Sequence, residues 1–265
     1  MTWGVEHLTV SFGDDRPALD GVSLQARPGE VAAVVGGDGA GKTTLLRVLA
    51  GVPIPHTGRV VRPEARRIGF MPSMSGALSD LTVGENLEFV AGAHRLDAGE
   101  RAGLLLERAG LAPFRRRLAR DLSGGMRQKL GVIMAMLPAP DLLILDEPTT
   151  GVDPVSRSEV WRLIGSAAAG GAAVVVATAY LDEAERTTTL LVLHEGRSLL
   201  AGTPEEVVAA TPGAVVDTAE PTDRERAWPR GARWRQWLPE GSADAAPADL
   251  EDAVIVAMLG AGAGR

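Results

Sequence analysis

The chain has 265 residues, 45% of them hydrophobic and 23% charged, with a formal net charge of −7. A chain of this length can bury a full core, so wholesale disorder is excluded, and its acidic balance argues against a broad basic face for nucleic acid or anionic lipid. It contains no cysteine, which removes disulfides, thiol nucleophiles and thiolate metal sites.

The opening Met1-Thr2-Trp3-Gly4 shows no basic stretch followed by an apolar run and is not expected to act as a signal peptide. From Gly4 to Ala26 short alternating runs, broken at Gly13-Asp14-Asp15, predict a small antiparallel element. Val31–Val35, Leu142–Leu145 and Ala172–Ala177 are unbroken apolar runs, read as strands buried on both faces. Helical patterns follow them, starting near Lys42, Val155 and Leu181. Buried strands alternating with helices imply an α/β fold with a mostly parallel sheet.

Between Pro72 and Leu137 no strand signal occurs, and Leu87–Leu111 and Gly124–Leu137 read as helices. A helical subdomain over about 74–138 is therefore expected as an insertion in the core. Leu163–Leu181 carries no charge, but Gly170-Gly171 at its middle favours a helix end, a turn and a buried strand over a membrane span. Past Glu206 the composition shifts: Ala209–Ala248 is rich in Pro, Gly and charge, and holds Trp228, Trp234 and Trp237 with Arg226, Arg230, Arg233 and Arg235. Such residues pack a small accessory fold or form a partner or membrane surface. Leu250–Leu259 reads as a short terminal helix, and the closing Gly-Ala-Gly-Ala-Gly-Arg as a frayed end. The expected division is 1–208, with the helical insertion, and a C-terminal accessory segment, 209–265.

The chemistry concentrates in two places. Gly36-Gly37-Asp38-Gly39-Ala40-Gly41-Lys42-Thr43 fits the P-loop pattern G-x-x-x-x-G-K-[ST], directly after a strand and before a helix that continues with Thr44. Glycines let backbone N–H groups turn toward phosphates, and the following helix presents its positive end. In such a loop Lys42 reaches the β- and γ-phosphates and the Thr43 hydroxyl ligates Mg²⁺. Lys42 also occupies the last position of a dinucleotide fingerprint, which excludes that reading. The second place is Asp146-Glu147-Pro148, at the end of the run Leu142–Leu145. There Asp146 would hold Mg²⁺ and Glu147 would orient or deprotonate the attacking water. A GTPase is set aside because N-K-x-D is absent and Asn86 is the only asparagine.

Leu122-Ser123-Gly124-Gly125-Met126-Arg127-Gln128, upstream of the acidic strand, completes a trio that resembles ABC-type ATPases from about Val5 to Glu206. The closest likeness is to cassettes of drug- or metabolite-type exporters, on Leu181–Glu185 and Gly202-Thr203-Pro204-Glu205. The resemblance implies an ATP- and Mg²⁺-binding cassette that pairs head to tail with a second one, identical or different. It places Ser123, Gly124 and Gly125 on the γ-phosphate held by the partner, Phe12 against adenine and Asp153 in the segment Thr150–Asp153 that reaches across the dimer. It also implies integral membrane subunits docking near Leu81–Leu87, a location on the cytoplasmic face of the cell membrane and no nucleic-acid partner.

Three positions depart from the family pattern. Ser73 stands where a glutamine contacts metal and water, Ala179 where a histidine contacts the γ-phosphate, and Asp38 where the loop usually has asparagine. None of His7, His56, His94 and His194 lies at a motif position that would replace the missing one, and Tyr180 is offset by one residue on an extended segment. The expectation is ATP binding with slow hydrolysis at this chain's own site, and a whole signature able to complete a partner's site. A non-transport ATPase of the same superfamily and an ATP-sensing module with little turnover stand as alternatives.

Overall fold

The computed structural model describes residues 2–13, 16–97 and 99–263; the break expected at Gly13-Asp14-Asp15 lies partly outside these residues. In chain order the strands are β1 (Trp3–Val10), β2 (Leu19–Ala26), β3 (Val31–Val35), β4 (Thr57–Val61), β5 (Ile68–Met71), β6 (Leu142–Asp146), β7 (Ala173–Thr178), β8 (Thr189–His194), β9 (Arg197–Gly202), β10 (Ala214–Thr218), β11 (Ala227–Arg230) and β12 (Arg233–Leu238). The helices are α1 (Lys42–Ala50), α2 (Val83–His94), α3 (Gly99–Arg108), α4 (Gly124–Met136), α5 (Pro154–Ala169), α6 (Leu181–Ala184), α7 (Pro204–Ala209) and α8 (Leu250–Ala263).

The core is a six-stranded sheet in the order β5-β6-β7-β3-β8-β9, parallel except for the antiparallel β8–β9 pair. Every residue of β3, β6 and β7 is buried, as unbroken apolar strands require when helices cover both faces. On one face Val34, Ile144 and Val175 pack against Leu45 and Leu49 of α1. On the other, Leu143, Leu145 and Val174 pack against α4 and α5 through Ile133 and Ile164. The expected N-terminal antiparallel element is a three-stranded sheet, β2-β1-β4. Among the described residues no helix is long and apolar enough to cross a membrane.

The helical insertion sits on β5 and β6. A Cβ at Gly69 would stand 2.1 Å from the Ala135 carbonyl oxygen, so α4 lies directly on β5 because that residue is glycine. The stretch Leu87–Leu111 is two helices, not one. Thr82 starts α2 with a capping box to Glu85, and Arg95, at φ 55° in the left-handed region, ends it by donating its N–H to Ala91 and Gly92 carbonyls. The chain stops a helix here without the usual glycine. Asn86, fully buried, donates to the Leu78, Leu81 and Thr82 carbonyls and accepts from the Leu78 N–H, fixing the loop that leads out of Ser73.

The C-terminal segment holds an antiparallel sheet, β10-β12-β11, that the composition did not announce. Trp237 is buried against Val215 and Val256, and its indole N–H donates to the Pro212 carbonyl at 2.8 Å. The terminal helix is longer than expected: α8 runs through Ala263 in place of fraying at Gly260, and Gly264 and Arg265 lie outside the described residues. Its Leu250, Ala253 and Val254 return to the core sheet, on Val35, Leu190 and Val192.

Arg235 (4% exposed) and Asp252 (0%) form a buried ion pair between β12 and α8, and Arg235 also donates to the Pro247 carbonyl at 2.7 Å. Truncating one partner of a buried pair strands the other charge and typically costs about 3–5 kcal/mol. Arg235→Ala is therefore expected to lower the urea midpoint reported by Trp fluorescence. The double change Arg235→Met/Asp252→Leu recovers much of that loss, because it removes both charges.

Candidate functional site

The parallel order β6-β7-β3 brings the C-terminal ends of three strands together, and the two chemical motifs lie at those ends. The loop after β3 is tightly held. A Cβ at Gly36 would stand 2.4 Å from the Leu193 carbonyl oxygen, and Gly41, at φ 103°, precedes α1 without any side-chain cap. The amino end of α1 therefore keeps its backbone donors for an anion. Gly37 through Thr44, with Ala18 and Glu147, line a concave cradle of about 210 Å³.

Lys42 is 5% exposed. Its ammonium donates to the Gly36 and Gly37 carbonyls at 2.8 and 3.2 Å and lies 3.3 Å from Glu147 Oε1. Thr43 Oγ1 donates to Asp146 Oδ2 at 2.9 Å. Asp146 Oδ1 is buried and meets no hydrogen-bond partner among the described residues. A buried carboxylate oxygen without a partner is costly, and a cation would satisfy it. One carboxylate plus one hydroxyl fits Mg²⁺, which takes few protein oxygens and completes its shell with phosphate and water.

Burial pushes the Asp146 carboxyl above the usual carboxylate range, partly offset by the Thr43 hydrogen bond. A raised folded-state pKa means that the group's favourable contribution is present in acid and lost as pH rises through that pKa. In metal-free protein, Asp146→Asn is thus expected to raise Tm at pH 7, with the gain shrinking toward pH 4. Thermal melts of both proteins across that range check the sign.

Glu147 sits at φ 51°, a left-handed backbone that costs a residue with a side chain about 1–3 kcal/mol. Its N–H donates to the Ala177 carbonyl at 2.9 Å, and Thr150 Oγ1 donates to its Oε2 at 3.1 Å. A strained backbone at the acid expected to face water places the strain where the chemistry is.

The remaining candidates form a separate group. Ser123 caps α4 by accepting the Met126 N–H at 3.3 Å, and Asp153 caps α5 by accepting the Val155 and Ser156 N–H groups at 3.0 Å each. A Cβ at Gly125 would stand 2.6 Å from Ser156 Oγ, so the starts of α4 and α5 are pressed together, with Gly124 beside the Gly151 carbonyl. None of Ser123, Gly124, Gly125 or Asp153 lines the cradle. Neither does Phe12, which is 63% exposed. Ser73 and Ala179 are both exposed, just past the ends of β5 and β7. Lys129, the other lysine, forms an ion pair with Glu159 at 2.8 Å. The four histidines are exposed or half-buried. Sequence reasoning missed Glu183, a fully buried acid on α6 bonded to Thr149 and Thr178; nothing in its surroundings in sequence marks it as interior.

The sequence pattern of the family described as ABC transporter matches residues 19–150. The chain is 38% identical over 214 residues to the probable multidrug ABC transporter ATP-binding protein YbhF of Escherichia coli (strain K12), a match covering 76% of this chain and 37% of that one. It is 40% identical over 217 residues to the daunorubicin resistance ATP-binding protein DrrA3 of Streptomyces coeruleorubidus, covering 77% and 69%. Among solved structures it is similar to an ATP binding subunit of an ABC transporter (TM-score 0.69, 26% identity, 79% of this chain and 92% of that one). It is also similar to cbiO1 of Clostridium perfringens, part of the ABC transporter complex cbiONQ (TM-score 0.67, 28% identity, 78% and 90%). The chain thus spans just over a third of YbhF and about two thirds of DrrA3.

Proposed function

The chain belongs to the ABC transporter family of ATP-binding proteins, and from that membership we propose that it is the ATP-binding, ATP-hydrolysing subunit of a membrane exporter. Gly36 to Thr44 take the phosphates, Lys42 the β- and γ-phosphate oxygens, and Phe12 the adenine. Thr43 and Asp146 hold Mg²⁺, which when bound neutralises phosphate charge. Glu147 orients or deprotonates the attacking water, and positioning and charge supply most of the rate. Ser123, Gly124, Gly125 and Asp153 serve the nucleotide of a second cassette packed head to tail, and integral membrane subunits dock on the helical insertion at the cytoplasmic face of the cell membrane. Ser73 and Ala179 make this chain's own site slow, which favours pairing with a different, competent cassette; the same two residues also favour, as a second reading, an ATP sensor with little turnover.

One observation carries this reading. Lys42, Thr43 and Glu147 line one cradle, with Asp146 bonded to Thr43, while Ser123, on its own capped helix, neither lines it nor bonds to these residues. If the signature acts in trans, Ser123→Arg leaves the affinity of the isolated chain for Mg-ATP within about twofold, below the cost of one hydrogen bond. The same substitution abolishes ATP-dependent dimerisation of the Glu147→Gln protein, alone or with its partner cassette, measured by light scattering. A Ser123→Arg chain that loses ATP affinity as a monomer contradicts the trans arrangement.

A further inference from the structure

We propose that Glu183 is a positioning residue: a buried carboxylate that clamps the end of β7 to the segment after Glu147, holding the Glu147 backbone and position 179 in place for hydrolysis. The proposal rests on the ATPase reading above. Glu183 is fully buried on the short helix α6. Its Oε1 accepts from Thr149 Oγ1 at 2.6 Å and its Oε2 from Thr178 Oγ1 at 2.7 Å. Thr178 Oγ1 also accepts the Tyr180 N–H at 3.0 Å, so one hydroxyl links the Glu183 carboxylate to the backbone of residue 180.

The clamp straddles the strained residue. Glu147, at φ 51°, lies two residues before Thr149, and its N–H bonds to Ala177, one residue before Thr178. A left-handed backbone at a residue with a side chain persists only where its surroundings over-determine it. Here the β6 and β7 ends are joined twice, once by the Ala177 carbonyl and once by the Glu183 carboxylate. Ala179 is framed by the same device: Thr178 before it bonds to Glu183, and Tyr180 after it bonds to Thr178. Arg157 of α5 closes the back, with Nε 3.6 Å from Glu183 Oε1 and its guanidinium stacked 4.4 Å from the Tyr180 ring centre. Packing alone would be served as well by apolar residues in place of the whole cluster, since burying a charge with its partners is not in itself stabilising. A carboxylate joining three segments around the hydrolytic residues points to geometry as its role.

The test is hydrogen exchange on the full chain, with ATP affinity and single-turnover hydrolysis measured beside it. In Glu183→Gln, the amides of residues 147, 149, 150 and 178–180 exchange about tenfold faster, the factor for one charge-assisted hydrogen bond, while β3 and the interior of β6 are unchanged. Affinity for Mg-ATP stays within about twofold, because Glu183 does not line the cradle and the phosphate-loop donors keep their places, and single-turnover hydrolysis slows by about tenfold or more. Thr149→Val and Thr178→Val act in the same direction, whereas Thr149→Ser and Thr178→Ser retain wild-type exchange; that contrast decides the matter if Glu183→Gln does not fold. Unchanged local exchange in a folded variant, or acceleration spread evenly over the sheet, overturns the clamp. If the wild-type chain binds no ATP, the ATPase reading fails, and the exchange pattern still judges the clamp on its own.

Discussion

Ala179→His combined with Ser73→Gln is expected to raise ATP turnover at this chain's own site by about a hundredfold or more, the usual effect of one preorganised polar group aimed at a transition state. The fold supplies the reason to expect a gain. β7 lies between β6, which carries Asp146, and β3, which feeds the phosphate loop, so residue 179 emerges between loop and acids. Ser73 follows β5, the neighbour of β6 on the other side. Both positions are exposed and free to accept a longer side chain. The two changes act on one reaction and need not multiply. Steady-state ATPase of single and double variants, paired with the same cassette, measures the gain. A double variant that binds ATP normally and turns over no faster shows that the defect lies elsewhere.

Lys42→Ala is expected to weaken ATP binding by about a hundredfold or more and to abolish hydrolysis. The ammonium is nine-tenths buried and satisfies two loop carbonyls, so its loss removes both the cation that meets phosphate and the brace that shapes the loop. Hydrogen bonds to charged groups are worth about 1.5–3 kcal/mol each, and two phosphate contacts account for the expected factor. Glu147 loses its ionic partner at the same time. Nucleotide titration of a folded Lys42→Ala chain checks this; wild-type affinity would remove the cradle from the account.

The central sheet was legible because its strands are buried on both faces, and such strands write themselves as unbroken apolar runs: Val31–Val35, Leu142–Leu145, Ala172–Ala177. The phosphate loop and Asp146-Glu147 were legible because their chemistry fixes residue types at short spacings. The end of α2 was not, since Arg95 adopts a left-handed turn without glycine or proline to signal it. The C-terminal sheet was hidden for a related reason. Its strands are short, one contains Pro229, and Arg235 reads as surface until the fold places Asp252 against it. Glu183 shows the same limit at the site itself: an acid in the run Asp182-Glu183-Ala184-Glu185 is solvated by default, and only tertiary structure brings Thr149, from the segment after β6, onto it beside the nearby Thr178.

The cradle around Lys42 is expected to bind ATP together with Mg²⁺ at Thr43 and Asp146. Calorimetric titration of ATP into the folded chain, with Mg²⁺ and with chelator, is the deciding measurement. One nucleotide bound per chain, with affinity that falls when the metal is withdrawn and with Asp146→Asn insensitive to that withdrawal, is the predicted result. Absence of uptake by well-folded protein, or an affinity indifferent to both Mg²⁺ and Asp146, would contradict it.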